Sequence, residues 1–146
     1  MNIYFICTGN TCRSPMAAAI LKSRNLPKTE VKSAGIYAMA GSPMSPNAKN
    51  VLEEQHIDYE HISQPVSLED LRWAHLILTM TTGHKESLLQ LFPQVADKTF
   101  TLKEYAIESS DLDVLDPFGR DISAYRQTFQ ELSILMDELE KKLLEE

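Results

Sequence analysis

Both cysteines of this chain stand close together near its beginning. Cys7 and Cys12 lie in the segment CTGNTCRSP (residues 7–15), where Arg13 directly follows the second cysteine. A cysteine thiolate is a nucleophile, and the planar guanidinium of arginine binds tetrahedral oxyanions through several N–H donors. These residue types at this spacing indicate a site in which sulfur attacks the phosphorus of a bound phosphate group.

The same segment has the composition of an anion-binding loop. It is expected to connect a buried strand to a helix, whose first-turn N–H groups lack partners within the helix. Gly9 lets the backbone approach a ligand closely, and Asn10 tolerates the left-handed conformation. The consecutive N–H groups from Thr8 to Arg13 can then surround a phosphate. These groups, the helix dipole and the arginine are expected to lower the pKa of the Cys7 thiol.

Short apolar runs alternate with helix-forming stretches along the chain, which is typical of β-α units around a parallel sheet. We expect strands at 3–7, 30–35, 75–80 and 98–102, with the first strand in the centre. We expect helices that begin at Pro15 and Pro46 behind the N-caps Ser14 and Ser45, and further helices at 67–73, at 83–92 and from 121 onward. The predicted fold class is α/β, a small doubly wound domain with a four-stranded parallel sheet and helices on both faces.

The last predicted helix carries an apolar stripe. Residues at spacings of four and three form it: Tyr125, Phe129, Leu132, Met136, Leu139 and Leu143. We expect this face to pack on the sheet. A coiled-coil partner is the alternative, but the stripe is shorter than the three to four heptads that would indicate one. We expect a monomer.

Length and composition limit the functional classes. With 146 residues, 43% of them hydrophobic, the chain can bury one core, and we expect one domain over residues 1–146. The apolar run at 3–7 is too short for a signal peptide or for a membrane span of about 20 residues. A net charge of −7 argues against a broad surface for nucleic acid or anionic membranes. We therefore expect a cytoplasmic protein with neither as a partner.

Residues 7–15 match a known pattern over their whole length. Cys7, five intervening residues and Arg13-Ser14 fit C-x5-R-S, and the segment also fits the longer form C-x-G-N-x-C-R-S-P. The chain thereby resembles the low-molecular-weight protein tyrosine phosphatases. Its segments SAG (33–35) and DPFG (116–119) resemble two further motifs of that family, in the same order along the chain.

The resemblance implies a role for each of three residues. Cys7 would be the nucleophile, Arg13 would bind phosphate and stabilise the transition state, and Asp116 would protonate the leaving group. Attack by Cys7 gives a phosphocysteine, and Asp116 can then act as the base for the hydrolytic water. An alternative for Asp116, which precedes a proline, is that it only initiates a turn. We expect no metal and no cofactor, and phosphorylated proteins as substrates.

The remaining residues of the loop are expected to bind the substrate. The resemblance implies that Asn10 and Ser14 hold the loop, and that Ser14 bonds to the nucleophilic sulfur. It also implies that Cys12 forms a protective disulfide with Cys7, whereas a simply packed thiol is the alternative. Phe118 either lines the pocket or packs in the core. The expected substrate-binding residues are Thr8, Gly9, Asn10, Thr11, Cys12, Ser14 and Phe118.

Three positions depart from many tyrosine phosphatases of the family. Thr11 stands where these have an aliphatic residue, the loop at 38–46 lacks their aromatic wall, and Thr81 replaces an aspartate. Thr11, together with TLKEY (101–105) and DPFG, instead resembles the bacterial branch that acts on phosphoarginine in proteins. A guanidinium needs polar contacts more than aromatic stacking. The expected function is protein-arginine phosphatase, with protein-tyrosine phosphatase as the alternative.

Two other functions are ranked lower. An arsenate reductase needs further cysteines to relay a disulfide, and none follows Cys12. A phosphocysteine carrier would have no use for an acid at Asp116. The four histidines, at positions 56, 61, 75 and 84, lack metal-ligand spacing and are expected on the surface or in the core. Asp111 and Asp113 are expected to be solvated loop charges.

Overall fold

A sheet of four parallel strands forms the centre of the computed structural model, which describes residues 1–145. The strand order is β2-β1-β3-β4, so the first strand lies inside the sheet as predicted. The strands are β1 (Asn2–Cys7), β2 (Glu30–Gly35), β3 (Leu76–Thr79) and β4 (Thr99–Thr101). The predicted four-stranded parallel sheet is confirmed, and β3 and β4 are each one residue shorter at both ends than expected.

Six α-helices connect and cover these strands within residues 1–145. They are α1 (Arg13–Ser23), α2 (Pro46–Glu54), α3 (Leu68–Trp73), α4 (Thr82–Leu91), α5 (Leu102–Ile107) and α6 (Ile122–Leu144). A short 3-10 helix, Pro93–Lys98, precedes β4. None of the helices in the described part of the chain is both long and apolar enough to span a bilayer.

The two faces of the sheet carry different helices because side chains alternate along β1. Ile3, Phe5 and Cys7 belong to the core cluster that contains buried residues of α1, α2 and α6. Tyr4 and Ile6 belong to the opposite cluster, which contains buried residues of α3 and α4. The prediction of helices on both faces is therefore confirmed.

The starts of two helices differ from the sequence prediction. Helix α1 begins at Arg13 with Cys12 at the N-cap position, two residues before the predicted start at Pro15. Ser14 is therefore not the cap, because its hydroxyl bonds to groups of the loop that precedes the helix. Helix α2 begins at Pro46 as predicted, but the Ser45 hydroxyl accepts no hydrogen bond from a helix N–H group and instead donates to the hydroxyl of Tyr125 at 3.2 Å.

The second half of the chain contains one helix that the sequence did not predict. Helix α5 directly follows β4 and begins with a capping box, in which Thr101 and Glu104 bond to each other's backbone N–H groups. Helix α6 was predicted, and Asp121 is its N-cap. It packs against α1, α2 and α5, so its apolar stripe is covered within this chain.

The end of β2 lies very close to the loop that follows β1. A Cβ atom at Gly35 would lie 2.5 Å from the carbonyl oxygen of Thr8 and 2.8 Å from the amide nitrogen of Asn10. Such distances are shorter than van der Waals contact allows, so only glycine fits here. The SAG segment thus brings β2 directly against the loop.

Candidate active site

A cavity of about 170 Å³ opens at the carboxyl end of β1, where ligands bind in folds with a parallel sheet. It collects eight of the ten residues that the sequence analysis selected. They are Cys7, Thr8, Gly9, Thr11, Cys12, Arg13, Asp116 and Phe118. The other two, Asn10 and Ser14, are fully buried behind the loop. The folded chain therefore brings Asp116 to the loop from a distant part of the sequence.

Cys7 is buried at the base of this cavity. Its Sγ atom lies 2.9 Å from the Ser14 hydroxyl oxygen. Burial raises the pKa of the Cys7 thiol, while the hydrogen bond with Ser14 and the charge of Arg13 act in the opposite direction. The expected lowering of this pKa is therefore wrong, because desolvation of the sulfur outweighs the groups that favour the thiolate.

Asn10 fixes the path of the loop from within. It adopts the left-handed conformation, with φ of 57°, which asparagine tolerates better than most residues. Its side-chain amide donates to the hydroxyl groups of Ser14 and Ser33 at 2.8 and 3.0 Å. Its side-chain carbonyl accepts from the N–H group of Gln64 at 3.1 Å. Every polar atom of this buried side chain thus has a partner.

The backbone carbonyl of Asn10 has two further partners that the sequence analysis did not identify. The Ser63 hydroxyl donates to it at 2.7 Å, and the His61 Nε2 atom lies 2.7 Å from it. Burial lowers the pKa of His61, and the bond to Asn10 acts against this effect. His61 was expected on the surface or in the core, yet it supports the loop.

Arg13 connects the loop to the segment that carries Asp116. Its guanidinium is almost fully buried and donates to the carbonyl oxygen of Val114 at 3.0 Å. Its Nη2 atom lies 3.4 Å from the Asp116 Oδ2 atom. The other carboxylate oxygen of Asp116 accepts from the N–H group of Phe118 at 3.0 Å. Asp116 therefore forms a turn, which was the alternative role expected for it, and it also faces the cavity beside Arg13.

Phe118 lies at the mouth of the cavity. Its side chain is 70% exposed and it lines the cavity wall. The sequence left open whether Phe118 lines the pocket or packs in the core, and packing in the core is wrong. A large exposed aromatic ring beside a buried thiol offers an apolar surface to whatever enters the cavity.

The segment before Asp116, residues 108–115, is held at several points. Asp113 accepts from the N–H group of Thr82 at 2.8 Å, and Asp111 pairs with Lys103 at 3.0 Å. Lys103 is itself almost fully buried and also pairs with Glu131 of α6 at 3.4 Å. The two aspartates are exposed and lie in a loop, as expected, and each also has a hydrogen-bond partner.

Cys12 is buried in the cavity wall with its thiol free. Its Sγ atom lies 3.5 Å from the Tyr125 hydroxyl and 3.7 Å from the Thr11 hydroxyl. Thr11 and Cys12 both line the cavity, with the Thr11 hydroxyl next to the second cysteine. Cys7 is also a free thiol.

His84, in the first turn of α4, is a second histidine that the sequence analysis did not select. Its Nε2 atom lies 2.7 Å from the Thr8 hydroxyl oxygen. Burial lowers the pKa of His84 to about 4, and the charge of Arg13 acts in the same direction. No local pattern could have revealed this contact, because Thr8 and His84 come from distant parts of the chain.

Within residues 1–145, histidine, cysteine and acidic side chains nowhere gather in a group of three or more that could hold a metal ion. The polar residues that line the cavity are two cysteines, an arginine, an aspartate and two threonines. This set can bind and attack a tetrahedral anion.

A buried thiol in an anion-binding loop, with an arginine and a carboxylate beside it, defines a class of cysteine-dependent phosphatases. The sequence profile named "Low molecular weight phosphotyrosine protein phosphatase" matches residues 2–146, and the chain belongs to this family. The resemblance noted from the sequence is thereby confirmed. The chain is 50% identical over 141 residues to the protein-arginine-phosphatase of Geobacillus stearothermophilus, which covers 97% of this chain and 95% of that protein.

Solved structures agree with the fold. YwlE arginine phosphatase from Geobacillus stearothermophilus superposes with a TM-score of 0.96 at 49% identity, over 98% of this chain and 92% of the other. A YwlE arginine phosphatase described as a C7S mutant with phosphorylated active site serine gives a TM-score of 0.95 at 45% identity, over 98% and 95% of the two chains. The predicted α/β fold is confirmed by these likenesses.

Proposed function

We propose that this chain, acting as one domain over residues 1–146, removes phosphate from phosphoarginine in proteins through a phosphocysteine intermediate. One observation carries the proposal. A relative named protein-arginine-phosphatase is 50% identical over nearly the whole chain, and the cavity here contains the residues that such a reaction needs. The C7S relative with a phosphorylated active-site serine supports transfer of phosphate to the residue at this position.

In the proposed first step, the Cys7 thiolate attacks the phosphorus atom of the substrate. The S–P bond forms while the P–N bond to the substrate guanidinium breaks, and Asp116 gives its proton to the departing nitrogen. Arg13 and the N–H groups of the loop hold the phosphoryl oxygens. The Ser14 hydroxyl, 2.9 Å from the sulfur, stabilises the thiolate before the attack and after its release.

In the proposed second step, water hydrolyses the phosphocysteine. Asp116, now a carboxylate, takes a proton from the water molecule while the water oxygen attacks phosphorus. The P–O bond forms, the S–P bond breaks, and inorganic phosphate leaves with Cys7 restored as a thiolate. Protons and electron pairs in both steps come from side chains and water, so the scheme requires neither a metal nor a cofactor.

The polar character of the cavity favours a guanidinium over a phenyl ring. Thr11 lines the cavity, and its hydroxyl, 3.7 Å from the Cys12 sulfur, can bond to an N–H group of the substrate. The Asp116 side chain is 49% exposed, and in its protonated form the carbonyl oxygen of the carboxyl group is a further acceptor for a substrate N–H group. Phosphotyrosine offers no N–H donor at this distance from phosphorus.

Phosphotyrosine is the second candidate substrate, and one observation favours it. The exposed ring of Phe118 lines the cavity, where it can stack on a phenyl ring.

We also propose that the enzyme acts in the cytoplasm as a monomer, supported by the free thiols of both cysteines and by the coverage of the α6 stripe within the chain.

The test compares the two substrates directly. We expect a higher kcat/KM for a phosphoarginine peptide than for the matching phosphotyrosine peptide, with many equivalents of phosphate released per enzyme. Cys7→Ser is the control that should lose turnover. A preference for phosphotyrosine would overturn the substrate class, and release that stops at one equivalent would indicate a phosphocysteine carrier.

Thr11→Ile gives the sharper comparison, because it keeps the branched shape and removes only the hydroxyl. Loss of one bond to a buried polar partner costs about 1 to 3 kcal/mol, which is about 5- to 150-fold in rate. We expect this loss for phosphoarginine and no comparable loss for phosphotyrosine. An unchanged ratio of the two kcat/KM values would remove Thr11 from substrate selection.

A further inference from the structure

The contact between His84 and Thr8 joins helix α4 to the loop that holds the nucleophile. Thr8 directly follows Cys7, its side chain is exposed to the cavity, and its hydroxyl oxygen lies 2.7 Å from His84 Nε2. The reaction scheme above uses neither side chain. A hydrogen bond this short between distant parts of the chain fixes both partners.

The imidazole of His84 is well placed by its own helix. Thr81 is the N-cap of α4, and its hydroxyl accepts from the N–H group of His84 at 3.0 Å. The next residue, Thr82, donates its N–H group to Asp113 in the segment before Asp116. The first turn of α4 therefore contacts both the nucleophile loop and the segment that carries the proposed acid.

The surroundings of the second ring nitrogen, Nδ1, determine whether the His84 side chain is neutral or cationic. Nδ1 is buried and has no hydrogen-bond partner among the residues that the structure describes. A cationic imidazole carries N–H groups at both nitrogens, and burial of one without an acceptor is costly. The positive charge of Arg13 disfavours the cation further, whereas Asp113 and Asp116 favour it. The depressed pKa of His84, about 4, agrees with a neutral ring.

A neutral imidazole has one proton, and the same geometry indicates where it lies. On Nδ1 the proton would have no acceptor, whereas on Nε2 it donates to the Thr8 hydroxyl oxygen. With its oxygen already accepting from His84, the Thr8 hydroxyl keeps its own hydrogen for another partner. Thr8 lines the cavity, so a ligand bound there is within the surroundings of this hydroxyl.

We infer that His84 is a positioning residue, which holds the Thr8 hydroxyl as a hydrogen-bond donor to a phosphoryl oxygen of the substrate. This inference rests on the proposed phosphatase function and adds one side-chain donor to Arg13 and the loop N–H groups. Because inorganic phosphate presents the same oxygens, the donor acts on phosphate as well as on phosphoproteins.

The experiment measures competitive inhibition by inorganic phosphate, with p-nitrophenyl phosphate as the substrate. His84→Leu removes the bond and is expected to raise the inhibition constant about 5- to 50-fold and to lower kcat/KM similarly. His84→Gln places an amide N–H group at a similar reach and is expected to restore most of the affinity. Gln90→Ala, an exposed position on the same helix, is the matched control with wild-type values.

A double-mutant cycle with Thr8→Val shows whether His84 acts through Thr8. Thr8→Val alone is expected to raise the inhibition constant, and the addition of His84→Leu to raise it no further. Full additivity, or an unchanged constant in Thr8→Val, would overturn the inference. A variant that only reduced the folded fraction would lower the maximal rate without changing the inhibition constant, which also contradicts it.

The outcome for the proposed function is separate. If the wild-type protein releases no phosphate from any substrate, the phosphatase proposal fails. If the wild type turns over normally and the His84 and Thr8 variants bind phosphate as well as it does, only the positioning inference fails. Thr8→Val decides the question even if His84→Leu does not fold.

Discussion

Cys7 lies in an environment with opposing effects on its thiol. Its side chain is almost fully buried, which favours the neutral thiol, while the Ser14 hydroxyl and the Arg13 guanidinium favour the thiolate. Asn10 donates to Ser14, so the hydrogen of the Ser14 hydroxyl can point to the sulfur at 2.9 Å or to the more distant Ala34 carbonyl oxygen at 3.5 Å. The reactivity of Cys7 therefore depends in part on Asn10, which is fully buried and acts through Ser14.

At the same scale, Asp116→Asn tests the proposed acid. Asparagine keeps the oxygen that accepts from the Phe118 N–H group, so the turn is retained while the transferable proton is lost. We expect turnover of a phosphoarginine peptide to fall about 10²- to 10⁴-fold, the usual contribution of general acid-base catalysis, and turnover of p-nitrophenyl phosphate to fall less.

The matched control for this variant is Asp121→Asn. Asp121 is the N-cap of α6, and asparagine is an equally good cap, so the same chemical change is made outside the cavity. Rates close to wild type are expected. Equal losses for the good and the poor leaving group in Asp116→Asn would show that this residue does not protonate the leaving group.

Residues with a local pattern were predictable, and residues with only distant contacts were not. Cys7 and Arg13 were selected because their types and spacing within one loop imply an anion site, and Thr11 because it resembles the phosphoarginine branch of the family. Ser14 was selected, but its serine-proline pair also suggested a helix cap, and the structure shows that the loop uses its hydroxyl. His61 and His84 reach the loop only through the tertiary fold, so no spacing in the sequence reveals them.

At the scale of elements, the end of β2 limits the shape of the nucleophile loop. The backbone of the loop bonds to the residues after β2, with the N–H groups of Ile36 and Tyr37 donating to the carbonyl oxygens of Cys7 and Thr8 at 2.9 Å. This close approach requires Gly35, which has no Cβ atom. The two segments are therefore expected to move together.

Gly35→Ala tests this coupling. The new methyl group would meet backbone atoms of Thr8 and Asn10, which cannot rotate away as a side chain could. Overpacking of this kind costs about 1 to 3 kcal/mol, and we expect that loss in the free energy of unfolding, measured in urea. Binding of inorganic phosphate should weaken as well, because the displaced atoms belong to the loop.

Gly83→Ala provides the comparison for the same change of residue. A Cβ atom at Gly83 would lie 3.7 Å from its nearest neighbour, and the residue is within helix α4, where alanine is favoured over glycine. We expect stability equal to wild type or up to about 1 kcal/mol higher. If Gly35→Ala matched this control in both measurements, the loop would have room that the structure does not show.

Helix α5 illustrates why short elements escape prediction. Its capping box is visible in the sequence, because Thr101 and Glu104 are three residues apart. Six residues are too few to display helical periodicity, so the apolar residues at 100 and 102 suggested a longer strand. Lys103 is buried in this helix by its ion pairs with Asp111 and Glu131, an arrangement that only the tertiary structure provides.

At the scale of the whole molecule, the alternation of strands and helices was enough to predict the class of fold. The apolar runs that became β1 and β3 are buried on both faces, which requires helices on both sides of the sheet. The position of Asp116, in contrast, could not be predicted from this alternation. It depends on the path of the chain between α5 and α6, which has no regular structure to predict.

The buried histidines also give the whole molecule a pH dependence. The pKa of His84 is lowered by burial to about 4, and burial lowers that of His61, whereas both have values near 6.5 in an unfolded chain. Between these limits the unfolded chain binds more protons than the folded protein. Stability is therefore complete above about pH 6.5 and is lost as the pH falls toward the folded values.

The free energy of unfolding should accordingly decrease from pH 7 to pH 5, an interval above the titration of ordinary carboxyl groups. Urea titrations at both pH values measure the decrease.

His84→Gln keeps a donor for Thr8 but cannot be protonated, so its stability should depend less on pH, by at most the contribution of one proton. His56→Asn is the control, because His56 is exposed and asparagine tolerates its φ of 58°. Its pH dependence should equal that of the wild type. If the free energy of unfolding decreased equally in the His84→Gln protein and in this control, His84 would bind a proton equally well in the folded and the unfolded protein. That result would contradict the prediction.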